Sequence, residues 1–124
     1  MTRVVLLCFV CALILFGCNN STPTLNPNPT PIPPNVTITI NDNYFQPSQI
    51  RVPVGAHITW HDYGYNSHTV TSGQVAQPKA GGMFDSGTLS YGAQFTVILN
   101  QAGTVNYFCR FHGSMGMIGT ITVR

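Results

Sequence analysis

The chain is 124 residues long, with 5 Lys and Arg against 3 Asp and Glu, and only 6% of it is charged. That length admits one small domain with flanking segments. With neither a basic stripe nor an acidic run, nothing points to nucleic acid as a partner. Paired carboxylates and nucleophile–base motifs are equally absent from the sequence, so hydrolytic chemistry has no support and the chain does not read as an enzyme.

Met1-Thr2-Arg3 supplies a short positive start, and Val4 to Phe16 is almost wholly apolar. This is the pattern of a secretory signal and too short for a stable membrane span. Leu15-Phe16-Gly17-Cys18 resembles a bacterial lipobox, which implies cleavage before Cys18 and lipid on its sulfur. Several acyl chains anchor firmly, since each buried methylene contributes about 0.8 kcal/mol. The alternative is ordinary signal cleavage and a soluble periplasmic protein. Pro23, Pro27, Pro29, Pro31, Pro33 and Pro34 then follow among Thr and Asn. Proline fixes φ and removes backbone donors, so this stretch is expected to be an extended tether reaching roughly 50 Å. The expected organisation is a lipoprotein signal over 1–17, a lipidated cysteine and tether over 18–35, and a folded domain over 36–124.

In the domain, period-two apolar patterns recur and no convincing 3.6-residue period is seen. Val36, Ile38 and Ile40 alternate with polar residues as a first strand, and Asn41-Asp42-Asn43 is a turn cluster. Ile50–Val54 reads as a second strand, with Pro53 demanding an edge or a bend. Ile58–Trp60 is a third strand, and His68–Thr71 begins a fourth segment. Residues 72–82 read as irregular, with a short helix or none. Gln94–Leu99 is a strong strand, Val105, Tyr107 and Cys109 share a face of the next, and Gly119–Val123 closes the sheet. The expectation is an all-β Greek-key sandwich of seven to eight strands. Its core would be built by Trp60, Ile58, Val97, Leu99, Val105, Tyr107, Ile121 and Val123.

Of the four cysteines, Cys8, Cys11 and Cys18 fall in or at the end of the apolar N-terminal run. Only Cys109 belongs to the domain, so no disulfide can form inside it. A lone thiol in an exported domain is reactive, shared between chains, or a ligand. Cys109-Arg110-Phe111-His112-Gly113-Ser114-Met115-Gly116-Met117 puts a thiolate, an imidazole and thioethers in one short loop, and His68 stands upstream in Asn66-Ser67-His68-Thr69-Val70. Two imidazoles, one thiolate and a weak thioether are the ligand set of a blue-copper centre, not of a structural zinc site. His57 and His61 lie four apart on one strand and therefore on one face. They read as a solvated face, without the thiol or carboxylate that would make a second metal site. Asp42, Asp62 and Asp85 read as turn-formers. Arg110 reads as a solvated residue near a docking surface.

From Val36 to Val123 the sequence resembles the cupredoxins of the plastocyanin, amicyanin and pseudoazurin group. The resemblance rests on Asn66–Val70, on Phe84-Asp85-Ser86-Gly87, on Tyr107–His112 and on Met117-Ile118-Gly119-Thr120-Ile121-Thr122-Val123. It implies one type 1 copper ion held by His68, Cys109, His112 and Met117. Met115 has the shorter spacing from His112 and competes for the axial place, but the run into the last strand favours Met117 and puts Met115 at the surface. Many relatives carry asparagine after the first histidine, where it ties the ligand loops together. Thr69 stands there, with a hydroxyl of shorter reach. The resemblance also implies one-electron transfer through an exposed edge of His112. Phe111, Gly113, Ser114 and Met115 would frame an apolar patch for transient docking of redox proteins, with the carrier itself a monomer. The competing reading is a periplasmic copper buffer or delivery protein.

Overall fold

The structure is a computed structural model and describes residues 34–77 and 82–124. The signal sequence, Cys18 and nearly all of the tether lie outside those residues. So do residues 78–81, the latter part of the segment expected to be irregular or briefly helical.

Among the described residues, eight strands form two four-stranded sheets. The strands are β1 (Asn35–Asn41), β2 (Tyr44–Gln46), β3 (Gln49–Val52), β4 (Ala56–Asp62), β5 (Thr71–Ser72), β6 (Gln94–Leu99), β7 (Gly103–Phe108) and β8 (Ile118–Val123). One sheet runs β2-β1-β4-β6 and the other β3-β8-β7-β5. The β1–β4 and β3–β8 pairs are parallel and the remaining pairs antiparallel. The all-β sandwich read from the sequence is the fold observed.

The alternation explains the layers. In β4, Ala56, Ile58, Trp60 and Asp62 point inward and are buried, while His57, Thr59 and His61 face out. Ile38 and Ile40 on β1, Leu99 on β6, Val105 and Tyr107 on β7, and Ile121 and Val123 on β8 complete the core; Val97, expected there, is half-buried against it. Trp60 from one sheet meets Tyr107 from the other edge-on at 5.2 Å between ring centroids. Such aromatic pairs contribute about 0.5–1.5 kcal/mol beyond the area they bury. In the β7–β8 ladder, Gly119 lies opposite Tyr107, and a Cβ at 119 would sit 2.3 Å from the phenol oxygen. Residue 119 therefore has to be glycine for the tyrosine to lie flat in the core.

Three differences from the expected elements are found. The strand β2 is added by a two-residue turn, with Asn43 at φ 70°, a left-handed conformation that asparagine tolerates. The strand expected over Ile50–Val54 stops at Val52, before Pro53, and β3 is an edge strand, as a proline there demands. The segment beginning at His68 is mostly not a regular strand. His68 makes an isolated bridge with Leu89, and only Thr71–Ser72 pair with β7.

Candidate metal centre

The expected ligands converge at one end of the sandwich, because β7 delivers Cys109 just past its last residue and β8 begins just after Met117. Between them the chain closes on itself. The Gly113 N–H donates to the Cys109 carbonyl at 2.7 Å, and the Met115 and Met117 N–H groups donate to the His112 carbonyl at 3.0 and 3.2 Å. The Cys109 N–H donates to the Met117 carbonyl at 3.1 Å, closing the loop at its neck. Gly113–Met115 form one 3-10 turn that ends at Gly116, whose φ of 96° suits glycine. That reversal turns Met115 outward, 65% exposed, and Met117 fully inward. The placement of the two methionines is the one expected from the sequence.

Inside the loop, Cys109 Sγ is buried and lies 3.5 Å from His112 Nδ1. The His112 ring is partly exposed, and its centroid is 5.2 Å from that of the fully buried His68 ring. His68 is pinned by reciprocal backbone bonds to Leu89, at 3.1 and 2.8 Å. Thr69 does the work expected of it. The Arg110 N–H donates to Thr69 Oγ1 at 2.8 Å, joining the segment that carries His68 to the loop that carries Cys109. Thr69 Oγ1 also lies 3.1 Å from Thr71 Oγ1, which reaches Asp85 at 3.4 Å. The Arg110 guanidinium returns to the same Asp85 oxygen at 3.1 Å, so the circuit closes on the residue where it began.

The aspartates do more than the turn-forming expected of them. Asp62 ends β4 fully buried, with its two carboxylate oxygens 3.2 and 3.1 Å from His68 Nδ1 and one accepting the Gly64 N–H at 2.9 Å. Asp42 accepts the Asn66 N–H and stands 3.8 Å from His68 Nε2, and Asp85 pairs with Arg110. Asp42 stays in its turn and Asp85 accepts the Gly87 N–H two residues on at 2.9 Å, whereas the inward parity of β4 carries Asp62 into the interior. Gly64 was also passed over by the sequence reading. A Cβ there would lie 2.4 Å from His68 Cε1, so glycine lets the loop close over the ring. His57 and His61 face outward as expected, and His61 packs on Tyr63 at 4.1 Å between centroids. Gly113, expected in the docking patch, is buried against Val75 and Phe108.

Among the described residues no three His, Cys, Asp or Glu side chains are drawn up at metal-binding separations. His68 stands off, its Nδ1 engaged by Asp62. The donor set nonetheless fits a soft-to-intermediate metal such as copper. It combines a buried thiol facing an imidazole, a buried thioether and a second imidazole. His68 Nε2 is also buried without a hydrogen-bond partner. Buried polar atoms are rarely left so, and of the three such atoms among the described residues it alone can offer a nitrogen lone pair.

The profile of copper binding proteins of the plastocyanin/azurin family matches residues 34–124. The chain belongs to that family. This cupredoxin is 33% identical over 88 residues to plastocyanin of Scenedesmus fuscus, covering 64% of the present chain and 86% of the plastocyanin. Among solved structures it is similar to the purple cupredoxin from Nitrosopumilus maritimus, with a TM-score of 0.64 and 28% identity over 72% of this chain and 99% of the other. Dithionite-reduced auracyanin from Roseiflexus castenholzii gives a TM-score of 0.63 at 17% identity, over 76% of this chain and 99% of that one. At that identity the likeness speaks for the fold alone.

Proposed function

We propose that this cupredoxin is a one-electron carrier that uses a single type 1 copper ion held by His68, Cys109, His112 and Met117. The observation that carries the reading is the convergence of the Cys109 thiol, the His112 imidazole and the buried Met117 in one hydrogen-bonded loop. Copper, when bound, supplies a Cu(II)/Cu(I) couple whose potential is tuned by the axial ligand and the surroundings of the thiolate sulfur.

The protein's own part is rigidity, insulation and access. The loop neck, the Thr69 bond and the sandwich beneath hold the donors nearly fixed, so little rearrangement accompanies a change of charge. Burial of His68, Cys109 and Met117 keeps water from the sulfur side. The partly exposed His112 offers the way in and out for the electron. Phe111 at 51%, Met115 at 65% and Ile118 at 54% exposure provide apolar surface on the same loop and at the start of β8. Redox proteins would dock there transiently over a small area, with little steering from a chain of formal charge +2. Its N-terminal sequence supports export and a lipid anchor at Cys18, facing the periplasm or the outside, with the monomeric domain free to meet partners on its tether.

The test is a Cu(II) titration of residues 18–124 with Cys18→Ser, followed by visible absorption and electron spin resonance. An intense blue band saturating at one equivalent, with narrow copper hyperfine splitting and fast electron self-exchange, is the expected result. Pale or colourless binding overturns the type 1 assignment. A blue protein with very slow self-exchange assigns the site to copper buffering or delivery.

A further inference from the structure

Four aromatic rings stand in a row on the outside of the domain, and none belongs to the core or to the metal centre. His61 packs on Tyr63 at 4.1 Å between centroids, Tyr63 meets Tyr91 edge-on at 6.5 Å, and Tyr91 stacks on Tyr65 at 5.7 Å with their planes 13° apart. Tyr63, Tyr91 and Tyr65 are 46%, 63% and 89% exposed. A cluster of exposed rings on so small a domain marks a contact surface. Its setting narrows the partner. The row continues the outward parity of β4. The outward positions in register with that strand across β1, β2 and β6 hold Asn, Thr, Tyr, Gln and Ile, and no Asp, Glu, Lys or Arg. A charged ligand finds no counter-charge on that face.

The chain carries a matching ligand of its own. Residues 19–34 hold Pro23, Pro27, Pro29, Pro31, Pro33 and Pro34 and no charged side chain. Proline-rich segments favour the polyproline II form, and they dock on exposed aromatic rings because little further order is lost. The exit of the tether is also in the right place. The His57 N–H donates to the Pro34 carbonyl at 2.9 Å, so the tether leaves the domain beside the start of the strand that leads to His61 and Tyr63. The distance along the strand from His57 to Tyr63 is about 20 Å at 3.3 Å per residue. A polyproline segment covers that in about seven residues, fewer than the tether has.

We propose that the segment 23–31 folds back across the outer face of this sheet and seats on the rings of Tyr63, Tyr91 and Tyr65. Such docking is intramolecular and needs little affinity. A segment joined through a short loop is presented at an effective concentration in the mM range, so a Kd of about 1 mM holds it for half the time. The seat lies at the end of the sandwich that carries His68, because Gly64, between Tyr63 and Tyr65, closes over the His68 ring. The docked form therefore draws residue 18 toward the metal end and shortens the tether's reach, and the free form restores it.

The experiment is NMR of metal-free residues 18–124 with Cys18→Ser. Expected are nuclear Overhauser contacts between the prolines of 23–31 and the three tyrosine rings, unchanged on dilution and at high salt. Tyr65→Ser combined with Tyr91→Ser should abolish them and let the backbone order parameters of Thr24, Leu25, Asn26 and Asn28 fall below about 0.6, the range of flexible chain. Tyr44→Ser, at a tyrosine 53% exposed on β2 and outside the row, should leave the contacts in place. Contacts that vanish on dilution would assign the row to a second copy and overturn the proposal. A wild type without contacts, its order parameters already below about 0.6, would leave the rings to another protein and overturn it too, as would equal loss in Tyr44→Ser. If the double tyrosine variant does not fold, Pro23→Ser, Pro27→Ser and Pro29→Ser together leave the domain untouched. They should release the segment, and unchanged order parameters would overturn the proposal. No copper is present in any arm, so the outcome is independent of the electron-carrier reading.

Discussion

Replacing Thr69 with valine tests whether the two ligand-bearing segments are joined by one hydroxyl. Thr69 is fully buried, and its Oγ1 is the acceptor for the Arg110 N–H at 2.8 Å across 41 residues of sequence. Valine keeps the shape and removes the acceptor. Thr71 Oγ1 loses a neighbour but keeps Asp85, so the penalty falls on the Arg110 N–H. The bond is part-buried and Arg110 itself is exposed, so losing the partner costs about 1–1.5 kcal/mol, the low end for a donor left unpaired. In a domain of this size each kcal/mol is worth roughly 4–8 °C in Tm, so Thr69→Val should melt about 4–12 °C below the wild type. Thr69→Ser keeps the hydroxyl and gives up a methyl group, and should lose about 1 kcal/mol or less. The assay is thermal unfolding of the metal-free proteins by circular dichroism, repeated with copper. The same change should slow electron self-exchange, because the Cys109 loop is then free to shift against His68. A Thr69→Val protein within about 0.5 kcal/mol of wild type, or a serine variant as weak as the valine one, would refute the reasoning.

Much of this centre was legible in the sequence because its information is local. Cys109, His112 and Met117 sit in nine residues, and Gly116 between two methionines marks the reversal that sends one outward and the other inward. The sandwich was legible through the alternation in β1, β4 and β8. Three things were harder to see, each for a physical reason. The strand β2 is too short for its own period. His68 is held by a single bridge to Leu89, a pairing that depends on a distant segment with no pattern. Asp62 was mistaken for a turn residue because composition outweighed parity. Counting by twos from Ile58 through Trp60 reaches Asp62, and that alone would have marked it as inward-facing and in need of a partner. The partner itself, six residues on and beyond a loop, is set by how Gly64 lets that loop fold back, which no periodicity encodes.

Two further outcomes are expected. Met117→Leu, a volume-conserving exchange at a fully buried site that costs less than about 1.5 kcal/mol, should change the reduction potential and the visible spectrum of the copper protein. Met115→Leu, at an exposed site, should leave both unchanged, and the opposite pattern would move the axial role to Met115. The second concerns Tyr107, whose phenol burial pushes up from 10.0 to about 12; the Trp60 indole N–H opposes that shift, although neither atom completes a hydrogen bond of normal geometry. The folded state holds this proton more tightly than the unfolded state does. The associated stability is therefore complete below pH 10 and is lost as pH rises through about 12. The loss amounts to roughly 2–3 kcal/mol over that window. Tyr107→Phe removes a buried hydroxyl that has no partner, so it should cost little at neutral pH. Its urea-unfolding free energy should also lack this component of the alkaline decline. Unfolding curves at pH 8, 10 and 12 decide the matter, since wild type and variant that weaken in parallel would mean the phenol keeps its ordinary affinity for its proton in the core.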